Sequence, residues 1–211
     1  MLCMATAVLF VACDNEDEKD PLVVPAEYDG SNFEANAAVE GEVRNQLSAF
    51  VGKAKEGRDP NVTVDANELS SLFTSGNPSL QDITTSYYAG RVSEWIDEIA
   101  KASGSTYTIG EPTGQGGVVG SYLFDENGLE LEQMIDKGLY GAAMYNHAIS
   151  LVEAGDLTAA TVDRLLQIFG AHPDFPNTNN SATADNPDQF LANYTARRDQ
   201  ADGQGLYTQM E

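Results

Sequence analysis

Beyond residue 27 the apolar side chains recur at three- and four-residue spacing, and almost nothing alternates with the two-residue period of a strand. A chain patterned this way buries its apolar surface by packing helix on helix. The pattern therefore predicts an all-α fold, a bundle of about five to six helices with long polar loops. Val39, Val43, Leu47, Phe50, Val51 and Ala54 share one face of a helix over roughly 36–56, stopped by Gly57, Asp59 and Pro60. Asp65 and Glu68 have capping-box spacing ahead of Leu69, Leu72 and Phe73, a short helix ended by Ser75-Gly76-Asn77-Pro78. A longer helix over roughly 79–103 would bury Leu80, Ile83, Tyr87, Val92, Trp95, Ile96 and Ile99, with Gly104 as its stop.

Residues 104–121 are rich in Gly and Thr, carry no period and read as a loop. The clearest helix runs over roughly 128–154, with Leu131, Met134, Ile135, Gly138, Ala142, Tyr145, Ile149 and Val152 inward. Gly138 and Gly141 each cost about 1 kcal/mol against Ala inside a helix, which implies a neighbour approaching closely. Gly155-Asp156-Leu157 is a turn, and Thr158 caps a helix with Val162, Leu165, Leu166 and Phe169 inward and Gly170 as stop. The two make an α-hairpin. A rigid turn over 171–176 leads to a polar stretch reaching about residue 185. Asn186-Pro187-Asp188 then opens a last helix, with Asn as cap, Pro at the first position and Phe190, Leu191 and Tyr194 inward.

The N-terminus carries an address. Residues 1–12 form an uncharged apolar run ending in a small residue, as in a secretory signal. At about a dozen residues it is shorter than the roughly twenty that span a bilayer. Lys or Arg normally precedes such a run, and their absence implies a start placed too far downstream or a clipped fragment. Leu9-Phe10-Val11-Ala12-Cys13 resembles the lipobox of bacterial lipoproteins, in which the cysteine is lipidated and becomes the new N-terminus. Cys13 is thus the expected lipid attachment site. Residues 13–27 follow as an acidic linker, extended by its own charge and by Pro21 and Pro25. The tether Asp14 to Asp20 resembles the export signal of Bacteroidetes-type lipoproteins, which implies an outer-membrane anchor facing the cell surface. A periplasm-facing anchor is the alternative.

Cys3 lies in the segment to be removed, so residues 28–211 contain no cysteine and no disulfide. At about 185 residues this domain is large enough to be held by its core alone. The 33 acidic against 11 basic side chains give a net charge of -22, which opposes nucleic acid and anionic lipid headgroups. Lys53, Lys55 and Arg58 come nearest to a basic patch, but Glu56 and Asp59 interrupt it.

Candidates for chemistry are few. There are two histidines. His147 lies one position beyond the stripe residue Tyr145 and reads as a satisfied or boundary core residue. His172 stands in a turn beside Asp174, a pair that could ligate a metal or relay a proton. The polar run Asp174, Asn177, Asn179, Asn180, Asp185, Asn186 and Asp188 offers oxygen ligands, yet lacks the EF-hand pattern. Asp125-Glu126-Asn127-Gly128 reads as a turn starting a helix. Neither a nucleophile elbow nor a phosphate loop is present, and nothing in the sequence calls for a cofactor.

Three stretches together resemble one family: Leu129 to Ala143, the Phe169 to Pro176 turn, and Phe190 to Asp199, with Tyr28-Asp29-Gly30 at its opening. The family is that of Bacteroidetes-type lipoproteins known as domain of unknown function 4856. Its members are longer, which implies that the domain 28–211 is truncated at its C-terminus. The resemblance implies an all-helical fold distantly similar to imelysin-type proteins, which are linked to iron uptake or peptidase activity. Gly170-Ala171-His172 matches the start of their G-x-H-x-x-E motif, but Phe175 stands where the acid belongs. The expectation is therefore an exported, surface-tethered, non-enzymatic domain. It would bind an extracellular or periplasmic ligand or protein, in a setting of nutrient or iron acquisition. The alternative is a metal-dependent imelysin-like peptidase, in which His172 and Asp174 would converge with acids from another helix.

Overall fold

Helix α2 (Ala38–Glu56) is the element around which the others pack, because Val43, Leu47, Phe50, Val51 and Ala54 place a continuous apolar stripe along it. The structure is a computed structural model and describes residues 28–111, 113–155, 157–174, 187–199 and 205–210. A short α1 (Phe33–Asn36) precedes α2. Then come α3 (Ala66–Thr74), α4 (Leu80–Ile83) and α5 (Ser86–Ala102). A hairpin of β1 (Gly117–Val119) and β2 (Tyr122–Phe124) leads to α6 (Leu131–Leu139). A π-helical turn over Tyr140–Tyr145 joins α6 to α7 (Asn146–Glu153). The chain continues through α8 (Ala159–Phe169), α9 (Phe190–Ala196) and α10 (Leu206–Met210). The fold is mostly helical, as the periodicity predicts, but more finely divided than a bundle of five to six helices.

Leu69 and Phe73 of α3, Val92, Ile96 and Ile99 of α5, and Ile135 and Leu139 of α6 close over the α2 stripe. Phe50 stacks on Phe73 with ring centroids 5.5 Å apart. Burying a Leu or Phe fully contributes about 1.5–3 kcal/mol, so this cluster carries most of the drive to fold. A second, smaller cluster joins Phe33 and Ala37 to Leu166 and Phe169 of α8, Ala192 and Ala196 of α9, and Tyr207. It seats α1, α9 and α10 against the end of α8.

Local signals act largely as expected. Asp65 caps α3, accepting from the Asn67 N–H at 2.8 Å, but Glu68 pairs with Lys53 at 2.9 Å and does not complete the expected box. Thr158 and Thr161 form a reciprocal box at the start of α8, and Gly170 ends it in the left-handed region. The helix expected over 79–103 is broken instead. A capping box between Ser79 and Asp82 starts α4, and extended Thr84 and Thr85 separate it from α5. Tyr87, expected inward, is 79% exposed, and Val39 is exposed as well.

Two further corrections concern elements. The stretch 104–121 is not loop throughout: Val118 pairs with Leu123 across the hairpin and both are buried. The helix over 128–154 is interrupted by the π turn, which inserts a wider turn and rotates everything beyond it. Ala143 and Met144 are buried, while Tyr145 is 64% exposed and Ile149 and Val152 are exposed too. Met134 is also exposed. The carbonyl of Ala142 in the π turn accepts from the Thr85 N–H at 2.9 Å, tying the turn to the α4–α5 break. Gly138 has its close neighbour: a Cβ there would lie 1.5 Å from the Tyr88 hydroxyl, which donates to the Met134 carbonyl at 2.6 Å. Gly141 has none.

Smaller departures follow in the last helices. Val162 on α8 is exposed, and Ile168 joins the core instead. Gln189 occupies the N-cap position of α9 without a side-chain capping bond, so Pro187 lies ahead of the helix rather than at its first position, and Asn186 lies outside the described residues. Tyr194 is exposed, while Ala192 and Ala196 face the second cluster. Among the described residues no helix is long and apolar enough to cross a membrane.

Candidate functional site

A polar groove of about 470 Å³ opens between α1, α2, the end of α8, the turn at His172 and residues 187–189. Backbone geometry holds its far wall. Gly170 sits at φ +101°, and a Cβ there would lie 2.2 Å from the Gln189 carbonyl. Only glycine lets the chain turn here and come so close. The Gln189 N–H in turn donates to the Gly170 carbonyl at 2.9 Å.

Arg44 lines the groove from α2 and is only 8% exposed. Its Nη1 donates to Gln167 Oε1 at 2.7 Å and its Nε to Gln189 Oε1 at 3.3 Å. Both acceptors are neutral. Among the described residues no carboxylate lies within ion-pair distance of Arg44, although every other Arg or Lys of helices α2 to α8 has one. Burial pushes the Arg44 guanidinium down to about 10, and the more distant charges of Asp188 and Glu34 oppose that shift.

His172 stands on the rim. Its Nδ1 accepts the Asp174 N–H at 3.1 Å, with a carboxylate oxygen of the same residue also at 3.1 Å. Its Nε2 lies 3.6 Å from Glu34 Oε1, and Phe33 meets the ring edge-on at 5.4 Å. The structure thus brings the sequence candidates His172 and Asp174 together in their turn, and adds Glu34 from α1. Even so, among the described residues no group of three or more His, Cys, Asp or Glu side chains is placed to hold a metal ion. Asp188 lies behind the wall, where Tyr207 donates to it at 2.6 Å. Burial raises its carboxyl, and hydrogen bonds from Tyr207 and the His172 backbone only partly offset this.

Other candidates resolve differently. Asp125 accepts from the backbone N–H groups of Asn127 and Leu129, a turn that leads into α6 as expected. Cys13 and the polar positions Asn177, Asn179, Asn180, Asp185 and Asn186 lie outside the described residues.

Sequence reasoning missed a buried ionic centre. Glu40 is fully buried, and its Oε1 accepts from Arg164 Nε at 2.9 Å and Nη2 at 2.6 Å. His147 Nε2 lies 3.1 Å from the same oxygen, so His147 is the satisfied, near-buried residue anticipated. Burial pushes the Glu40 carboxyl up, but the bonds from His147 and Arg164 outweigh it and hold the group below the usual glutamate range. A related set on α6 pairs buried Glu132 with Arg58, and Asp136 with Lys55 at 3.0 Å and Lys137 at 2.9 Å. The carboxylates of these centres have their counter-charges, although Glu40 Oε2 and Glu132 Oε2 are buried without a hydrogen bond among the described residues; Arg44 has no counter-charge within ion-pair distance. Comparison of the chain with family models, with curated proteins and with solved structures finds no match.

Proposed function

We propose that the chain is an exported, lipid-tethered, non-enzymatic binding domain held at the outer membrane, and that the groove over Arg44 receives a small polar ligand. The observation that carries the binding reading is Arg44 itself: a buried cation, held by two glutamines, at the edge of an open polar groove in a strongly acidic chain. A guanidinium with no counter-charge at hand costs stability in such a place, and a ligand offers the missing partner. A groove of this size is also within the roughly 300–1,000 Å³ range of small-molecule sites. The apolar run before Cys13 and the acidic residues after it support the address. The resemblance to the lipoprotein family supports cell-surface display and a nutrient-acquisition setting. His172, Asp174 and Glu34 share one rim without forming a metal-holding group, so the peptidase alternative gains no support from their geometry.

The binding reading is tested with Ala38→Trp, which places a large side chain into the groove from an exposed position. In a thermal-shift screen of small polar metabolites, at least one compound should raise the melting temperature of the natural chain and not that of the variant. Equal shifts in both proteins, or none in either, would refute it. The address is tested by palmitate labelling in an expressing bacterium: the chain should label and Cys13→Ala should not.

A further inference from the structure

The charges around the groove are unevenly distributed, and that distribution selects a ligand. Arg44 is the buried cation, whereas Glu34 and Glu42 line the same groove as exposed carboxylates. A simple anion would have to pass both glutamates in a molecule already at -22. A simple cation would meet Arg44. A molecule with a carboxylate at one end and an ammonium at the other satisfies both.

Arg44 has donors to spare. A guanidinium carries five N–H groups, and the two glutamine oxygens take one from Nε and one from Nη1. The remaining N–H groups form the fork that grips a carboxylate bidentately. Gln167 adds a second donor: its Nε2 lies 3.1 Å from where a Cβ on Gly41 would stand, and Gly41 lines the groove. The absence of a side chain at Gly41 keeps that amide reachable. Glu34, with 85% of its side chain exposed and Oε1 3.6 Å from His172 Nε2, has carboxylate surface left to meet an ammonium at the opening.

We infer that the groove binds a small zwitterion of the amino-acid or short-peptide class, its carboxylate on Arg44 and Gln167 and its ammonium at Glu34 and Glu42. This rests on the groove being a binding site at all, and the two claims fail differently.

The test is calorimetric titration of the full chain, at low salt, with triglycine, N-acetyltriglycine and triglycinamide. Triglycine should bind, and triglycinamide, which lacks the carboxylate, should bind at least about tenfold more weakly. N-acetyltriglycine, which lacks the ammonium, should also bind more weakly. That second difference should vanish in the double variant Glu34→Gln, Glu42→Gln, whose altered positions are exposed and leave the core untouched. Arg44→Lys keeps the charge but loses the fork, and should weaken triglycine about tenfold while still melting cooperatively. If all three probes bind equally and Ala38→Trp blocks all three, the zwitterion inference is overturned and the groove stands. If triglycine binds and Ala38→Trp changes nothing, the groove reading falls and takes the inference with it. If no probe binds at about 10 mM, the inference is overturned and the metabolite screen alone decides the groove.

Discussion

Gly138 on α6 and Gly141 in the π turn lie three residues apart, yet they have opposite jobs. Under Gly138 the Tyr88 hydroxyl reaches the Met134 carbonyl, and the same ring packs edge-on against Trp95 at 5.4 Å. Gly138→Ala would expel the hydroxyl, so it should destabilise by about 1–2 kcal/mol although alanine favours the helix. Gly141→Ala meets nothing within 4 Å and should stabilise by about 0.5–1 kcal/mol. Denaturant midpoints of the two variants, read against the natural chain, decide the matter; equal shifts would mean that Tyr88 does not hold this position. Glu40 shows what was legible at this scale and overlooked. It falls in phase with Val43, Leu47 and Phe50 on the buried stripe of α2, and a carboxylate there must find a counter-charge. The phase was readable from the sequence; that Arg164 and His147 supply the partners was not, because they lie more than a hundred positions away. Glu40→Ala leaves Arg164 half-buried without its carboxylate and should cost about 3–5 kcal/mol by urea unfolding.

At the scale of elements, the segment from Leu131 to Glu153 is the instructive one. Its first half follows the sequence: Leu131, Ile135 and Leu139 are buried at helical spacing. Its second half does not, because the π turn carries no sequence signature and shifts the phase of every later residue. Ile149→Lys and Val152→Lys should therefore change stability by no more than about 0.5 kcal/mol, whereas Ile135→Ala should cost about 2–5 kcal/mol. A large loss at Ile149 or Val152 would restore the unbroken helix. The β1–β2 hairpin escaped notice for a different reason: strands of three residues are too short to show a two-residue period. Capping and stop signals were read correctly where a single side chain or glycine sufficed, at Asp65, Thr158 and Gly170. The groove was legible only at His172. Arg44, Gln167 and Gln189 stand far apart in the chain, and no spacing rule joins them.

Across the whole molecule, acidity dominates. Glu40 and Asp136 are buried carboxyls held below their usual ranges, Asp136 by bonds from Lys137 and Lys55 that outweigh its desolvation. Groups depressed in the fold stabilise it above their ordinary values, and that stability is lost as the pH falls through the folded ones. Asp188 and Glu130, raised by burial, work the other way and are relieved by acid. Asp29, Asp59 and Asp82 are also held low by local hydrogen bonds, so five depressed carboxyls outweigh two raised. Melting temperature should thus hold level from neutrality to about pH 5 and fall below about pH 4; a rise on acidification would show that relief of Asp188 and Glu130 wins. Salt should act in the opposite sense at neutral pH. With a net charge of -22, screening of self-repulsion should raise the melting temperature between low and about 0.5 M salt, since exposed ion pairs have little to lose.

A ligand seated in the groove over Arg44 is the central expectation for this protein. Nuclear magnetic resonance mapping of the isotope-labelled chain during titration with triglycine tests that directly. Perturbed amides should cluster at Glu34, Arg44, Gln167, His172 and Gln189. Perturbation centred instead on the apolar recess between Tyr140, Leu165 and Phe190, or scattered over the surface, would contradict it.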